Sequence, residues 1–131
     1  MERRIVNPWT WQDALGYVQA NELRGPQRVL VCAGQTSVDA EGRPLHPGDM
    51  AAQLVQALDN LETVLGQADF ALADVVRLNV YTTDVDAFMG ALGAVGPRLA
   101  GAGCRFASTL LGVTRLAFPE LLVELEATAA A

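Results

Sequence analysis

The segment from Met50 to Gln67 constrains the fold most. Leu54, Leu58, Leu61 and Leu65 step by 4, 3 and 4, the spacing of one stripe along an α-helix. Asp49 stands where an N-cap belongs. Gln53, Gln56, Asp59, Asn60 and Glu62 lie largely off the stripe, so the helix is expected to cover one face of a sheet while its other side meets water.

The remaining segments supply that sheet. Residues 2–6 are a short candidate strand, and Leu15–Leu23 with Arg28–Ala33 read as a strand pair across the turn signal Arg24-Gly25-Pro26. Asp39–Gly42 and Pro44–Gly48 carry turn chemistry. Val75–Tyr81 reads as a strand with Val76, Leu78 and Val80 inward. A second helix is expected over 85–99 on the stripe Phe88, Leu92, Val95 and Leu99, weakened by Gly90, Gly93 and Gly96. Two last strands follow, at 106–114 and 121–128, the final one alternating Leu121, Val123 and Leu125 against Leu122, Glu124 and Glu126. The order predicts an α+β domain, a mostly antiparallel sheet with two helices on one face. Leu110, Val113 and Leu122 leave apolar residues for both faces of the sheet, so a second copy of the sheet is the expected cover.

With 131 residues the chain fits a single domain, 1–131, that needs no disulfide or metal staple. Only 18% of residues are charged, against about 25% in ordinary domains, which also points to self-association. The net charge is −6 and all nine basic residues are arginine. They are scattered, so a nucleic-acid partner is not expected, and without lysine there is no ε-amine for a Schiff base. Two cysteines and one histidine do not make a four-ligand zinc site. No membrane segment is expected, because no apolar stretch reaches about 18 residues. Met1–Ile5 lacks the apolar core of a leader, and the expected location is cytoplasmic, with reduced thiols.

Several residues carry possible chemistry. Trp9 and Trp11 share a face if extended, as packing or as an aromatic wall to a pocket. Glu124 and Glu126 share a face of the last strand, so one can serve as a general base with a pKa raised by the other. Arg77 and Arg115 are natural ion-pair partners for them. Cys104 beside Arg105 is a weak candidate nucleophile with a depressed pKa; Cys32 reads as a structural thiol and His46 as a surface loop residue.

The chain resembles the RidA (YjgF) family, whose namesakes hydrolyse reactive enamines and imines. The resemblance runs through Gly16-Tyr17-Val18-Gln19, Gly34-Gln35 with Val38-Asp39 and Gly42, and Asp49–Gln53. It continues through Leu58–Leu61, Asp74–Arg77, Val80–Asp84 with Phe88, Gly112-Val113 with Arg115-Leu116, and Val123–Ala127. It implies a chorismate-mutase-like fold and a homotrimer whose three sheets form a barrel, with small-molecule pockets between subunits. It further implies that Glu124 holds the attacking water and Tyr17 closes the pocket, both as catalytic residues. Where the family writes Pro-Ala-Arg-Ser, this chain has Phe106-Ala107-Ser108-Thr109, so Ser108 replaces the arginine that grips a substrate carboxylate. Leu92 also replaces a frequent family asparagine. Ser108 and Thr109 are the expected substrate-binding hydroxyls. Arg105 lies three positions from Ser108, on the opposite strand face and ~10 Å away unless a bulge or loop brings it in. Gln35 caps or lines the pocket. No cofactor or metal is implied. The expected function is enamine or imine hydrolysis with an altered substrate range; the alternative is a non-catalytic metabolite-binding or regulatory protein using the same pocket. An endoribonuclease is disfavoured by the acidic balance.

Overall fold

The computed structural model describes residues 1–131. Strands β1 (Glu2–Val6) and β2 (Ala20–Arg24) precede β3 (Val29–Val31) and β4 (Gln35–Thr36). Helix α1 (Met50–Gln67) leads to β5 (Val75–Thr82), then α2 (Val85–Gly90) and α3 (Gly96–Gly101), and the chain ends with β6 (Leu110–Gly112) and β7 (Val123–Ala130). The main sheet runs β3-β7-β5-β6, with β4 also on β7; only β5 and β6 are parallel. The α+β expectation holds, with a mixed sheet and three helices. No helix is long and apolar enough to cross a membrane.

Helix α1 forms as its spacing dictates. Asp49 accepts the Ala52 N–H at 3.0 Å, satisfying one of the free donors of the first turn. Leu54, Leu58, Leu61 and Leu65 are all buried, each contributing roughly 2 kcal/mol of apolar burial. They meet the inward residues of β7, Val123, Leu125, Ala127 and Ala129, and Leu78 and Val80 of β5. The small side chains of Ala57, Ala127 and Ala129 are fully buried at this seam, where helix and strand pack with no room for more.

Four expectations about the sheets and the second helix need correction. First, β2 pairs with β1 in a separate two-stranded sheet, and β3 pairs with β7. The composition explains it. Polar β2 matches polar β1, with Arg4 bonded to Glu22 at 2.6 Å, while apolar β3 takes the edge of the buried strand. Asn21 pins this small sheet to the main one, donating to the Val76 carbonyl at 2.8 Å and the Arg105 carbonyl at 2.9 Å.

Second, the helix expected over 85–99 is broken into α2, a tight turn at 92–94 and α3. Its glycines and Pro97 cannot sustain one helix, although Phe88 and Val95 still point inward.

Third, the strand expected over 106–114 runs parallel to β5, with only Leu110–Gly112 regular. Residues 106–109 nevertheless continue the ladder: Leu78 N–H donates to Ala107 and Val80 N–H to Thr109, both at 2.9 Å.

Fourth, the uncovered sheet face is not uniformly apolar. Leu110 and Leu122 turn to the core. The centre of the open face carries Arg77, Asn79, Tyr81, Thr109, Glu124, Glu126 and Thr128, placed by strand register, with Val29, Val31 and Leu111 exposed beside them.

Gln53, read as facing water, is fully buried. It donates to the His46 carbonyl at 3.1 Å and the Glu120 carbonyl at 2.8 Å, and accepts from the Leu122 N–H at 2.8 Å. It therefore ties α1 to the 46 loop and to the entry of β7. Gln53→Leu keeps the volume but strands three backbone groups, and urea unfolding is expected to show a loss of roughly 2–4 kcal/mol.

Candidate functional site

The inward alternation of β7 fixes the chemistry of its outer face. With Val123, Leu125 and Ala127 in the core, Glu124 and Glu126 project together onto the open side. Tyr81 stands opposite Glu124, and Asn79 opposite Glu126.

The two carboxylates are not equivalent. Glu126 accepts from the Tyr81 hydroxyl at 2.9 Å and from the Asn79 amide at 3.2 Å. Those bonds, first from Asn79 and then from Tyr81, hold its carboxyl below the ordinary glutamate value, with Arg77 adding attraction. The same contact pushes the Tyr81 hydroxyl upward. Glu124 has no such donors. Burial pushes its carboxyl up, and the like charge of Glu126 adds to the rise. The pair thus has one carboxylate held ionised and one that holds its proton more tightly than an ordinary glutamate.

Gly34 makes the seat for Glu124. A Cβ at position 34 would collide with the Glu124 side chain from Cγ to the carboxylate, so glycine between β3 and β4 is what lets Glu124 rest here.

On the other side of the sheet lies a groove of about 930 Å³. Its walls are Leu78, Val80, Ser108 and Leu110 from the sheet, and Phe88, Leu92, Val95 and Leu99 from the broken helical segment. Tyr17 and Arg105 line it too. Trp11 meets Tyr17 edge to face, 6.2 Å between centroids at 80°, an aromatic contact beside the groove.

The sequence-derived residues therefore divide. Tyr17, Ser108 and Arg105 line the groove, while Glu124 and Thr109 occupy the open face. Arg105 reaches the groove because it sits in the loop before the ladder begins. Ser108 and Thr109 point to opposite sides, as neighbours on an extended segment must. Thr109 is engaged with Arg77, which donates to its hydroxyl at 2.9 Å. Gln35 stands opposite Leu125 rather than Glu124, and its amide donates to the Ala33 carbonyl at 3.2 Å.

The ion pairs expected of Arg77 and Arg115 do not form. Arg77 bonds Thr109, and Arg115 donates to the Leu116 carbonyl at 3.3 Å. The weak case for Cys104 also fails: burial pushes its thiol up to about 12, outweighing the attraction of Arg3, so it is protonated at neutral pH. His46 is exposed, with a left-handed backbone (φ 58°). No three His, Cys, Asp or Glu side chains converge as a metal-ligand set.

Two groups escaped the sequence reading. Asn79 and Tyr81 alternate with Leu78 and Val80, so strand periodicity alone could have put them beside the glutamates. Gln12 offered no such signal. It is fully buried, donating to the Trp9 carbonyl at 3.0 Å and accepting from Gln19 at 3.1 Å, and it braces the tryptophan loop.

Comparison with known proteins places this geometry among relatives. The family model described as endoribonuclease L-PSP matches residues 11–131. A RutC family protein of Pyrococcus horikoshii is 34% identical over 59 residues, covering 45% of this chain and 47% of that one. The 2-iminobutanoate/2-iminopropanoate deaminase of Escherichia coli K12 is 31% identical over 72 residues, covering 55% and 53%. The chain spans about half the length of the curated relatives it matches. Among solved structures, the Rid family protein YyfB of Yersinia pestis, of unknown function, superposes with TM-score 0.86 at 37% identity over all of both chains. The YjgF gene product of E. coli gives 0.69 at 28% identity, covering 87% of each.

The seat at Gly34 is directly testable. Gly34→Ala is expected to change stability by no more than about 1 kcal/mol, because the atoms that must yield all belong to the flexible Glu124 side chain. A carbon-detected NMR titration should show the Glu124 carboxyl falling back toward the ordinary glutamate value as it moves into solvent.

Proposed function

We propose that this chain, which belongs to the endoribonuclease L-PSP (RidA/YjgF) family, hydrolyses small imines or enamines at a site completed by a second copy of itself. Glu124 carries the reading: it is a carboxylate with a raised pKa, seated on glycine beside a locked anion. The relative named as an iminobutanoate deaminase supports it at the level of reaction class.

The chemistry needs a held water and little else. Glu124 takes a proton from water as the water oxygen bonds to the C=N carbon, and passes that proton to the nitrogen to give the carbinolamine. On collapse Glu124 takes the hydroxyl proton as the carbonyl forms and gives it to the nitrogen as the C–N bond breaks and ammonia leaves. Imine plus water thus becomes carbonyl compound plus ammonia, with no redox step. Tyr17 closes the groove and the Ser108 hydroxyl orients the substrate. Arg105, whose side chain has no ion-pair partner in the protein, offers the one positive charge in the groove. Thr109 and Gln35 act as positioning residues, Thr109 through Arg77 and Gln35 through the β4 backbone beside Gly34.

Within one protomer, Glu124 and the groove lie on opposite faces of the sheet. A neighbouring copy that sets its groove edge against this open face brings the halves together, and the three-fold arrangement implied by the family resemblance satisfies that demand. An RNA-cleaving reading draws less support, since the groove is mostly apolar and contains a single arginine.

Ammonia release from imines made in situ by an amino-acid oxidase tests the proposal. Glu124→Ala is expected to lower kcat by roughly 10²- to 10⁴-fold. No acceleration by the wild type, together with thermal stabilisation by a metabolite, would favour the binding protein instead.

The pH profile adds an independent check. A base must be ionised, so activity should fall as pH drops through the Glu124 pKa, which burial and then Glu126 raise above the ordinary glutamate value. Glu126→Gln removes the like charge while keeping an acceptor for Asn79 and Tyr81. The acid limb is expected to move to lower pH.

A further inference from the structure

The groove is larger than a short-chain imine needs. Its volume of about 930 Å³ lies near the top of the roughly 300–1,000 Å³ range of small-molecule pockets. Phe88, Met89, Leu92, Val95, Leu99 and Leu110 make it largely apolar. Its only ionisable polar groups of fixed charge are Asp13 and Arg105, both exposed. A ligand's greasy body gains from entering, and its polar end gains from staying by the exposed charges.

Two exposed glycines border the groove. Gly93 and Gly96 line it, and at each a Cβ would find no atom within 4 Å. Neither has a positive φ, so their backbone does not demand glycine. A side chain at either position therefore has open space to occupy beside the groove, and glycine there relieves no backbone strain.

We propose that this groove selects imines and enamines bearing a bulky apolar substituent, with Gly93 and Gly96 as specificity-determining positions. This rests on the hydrolase reading above. Each methylene buried in such a wall improves kcat/KM by roughly fourfold when the contact persists in the transition state.

The experiment compares the imines generated from phenylalanine and from 2-aminobutanoate, each by an oxidase suited to it. The wild type is expected to favour the phenylalanine-derived imine by at least about tenfold in kcat/KM. Gly93→Leu fills the wall and should cut that ratio by about tenfold; Gly96→Ala, a milder change, should cut it severalfold. Thermal melting establishes that each variant is folded, and the wild-type ratio stands even if one is not. A wild type that turns over the short imine equally well or better overturns the size preference and leaves the hydrolase reading intact. A folded Gly93→Leu with an unchanged ratio overturns the role of the glycine wall. Turnover of neither imine by the wild type overturns both readings together.

Discussion

The packing of α1 on β7 sets the terms for everything else. Four leucines at helical spacing demand an apolar partner strand, and β7 meets them with Val123, Leu125, Ala127 and Ala129. Because side chains alternate along a strand, that choice forces Glu124, Glu126 and Thr128 outward as a set. A slip of one residue would bury two carboxylates under the helix, which the energetics of unpaired buried charge forbid. The core therefore fixes not only the fold but the direction in which the acidic pair looks.

That pair illustrates how one strand face supports two different electrostatic environments. The residues are two apart on the same strand, yet one is fastened by an amide and a phenol while the other rests against bare backbone. The difference comes from the neighbouring strand. Asn79 and Tyr81 lean on Glu126, and nothing equivalent serves Glu124. A single pairing register between β5 and β7 thus decides which carboxyl is fixed and which is free to titrate.

Much of the fold was legible because its signals are local and strong. The leucine stripe, the Asp49 cap and the alternation of β7 each state one structure, and each formed as expected. Strand pairing was less legible. A Gly-Pro turn signalled a hairpin between β2 and β3, but the affinity of apolar β3 for the central strand outweighed proximity in sequence. The glycine-broken segment at 85–101 kept its inward residues while losing its continuity, since stripe and propensity pull in different directions there. For the candidate site, the sequence singles out Glu124, Tyr17, Ser108 and Arg105 but does not announce that they lie on two faces of the sheet. That division depends on which side of the sheet the helices take. Gln53 and Gln12 were illegible for a related reason: their burial is decided by distant backbone groups that need partners, and no periodicity announces it.

The bonded state of Glu126 has an electrostatic consequence for anything that docks above it. Its proton is held off by two donors, so the face keeps this negative charge to lower pH than an ordinary glutamate would. A neutral C=N group gains little from that field, whereas its protonated iminium form is drawn in and held. Protonation is also what makes the carbon a strong electrophile. The hydrogen-bonded network on the open sheet face thereby favours the activated form of such a molecule before any water moves.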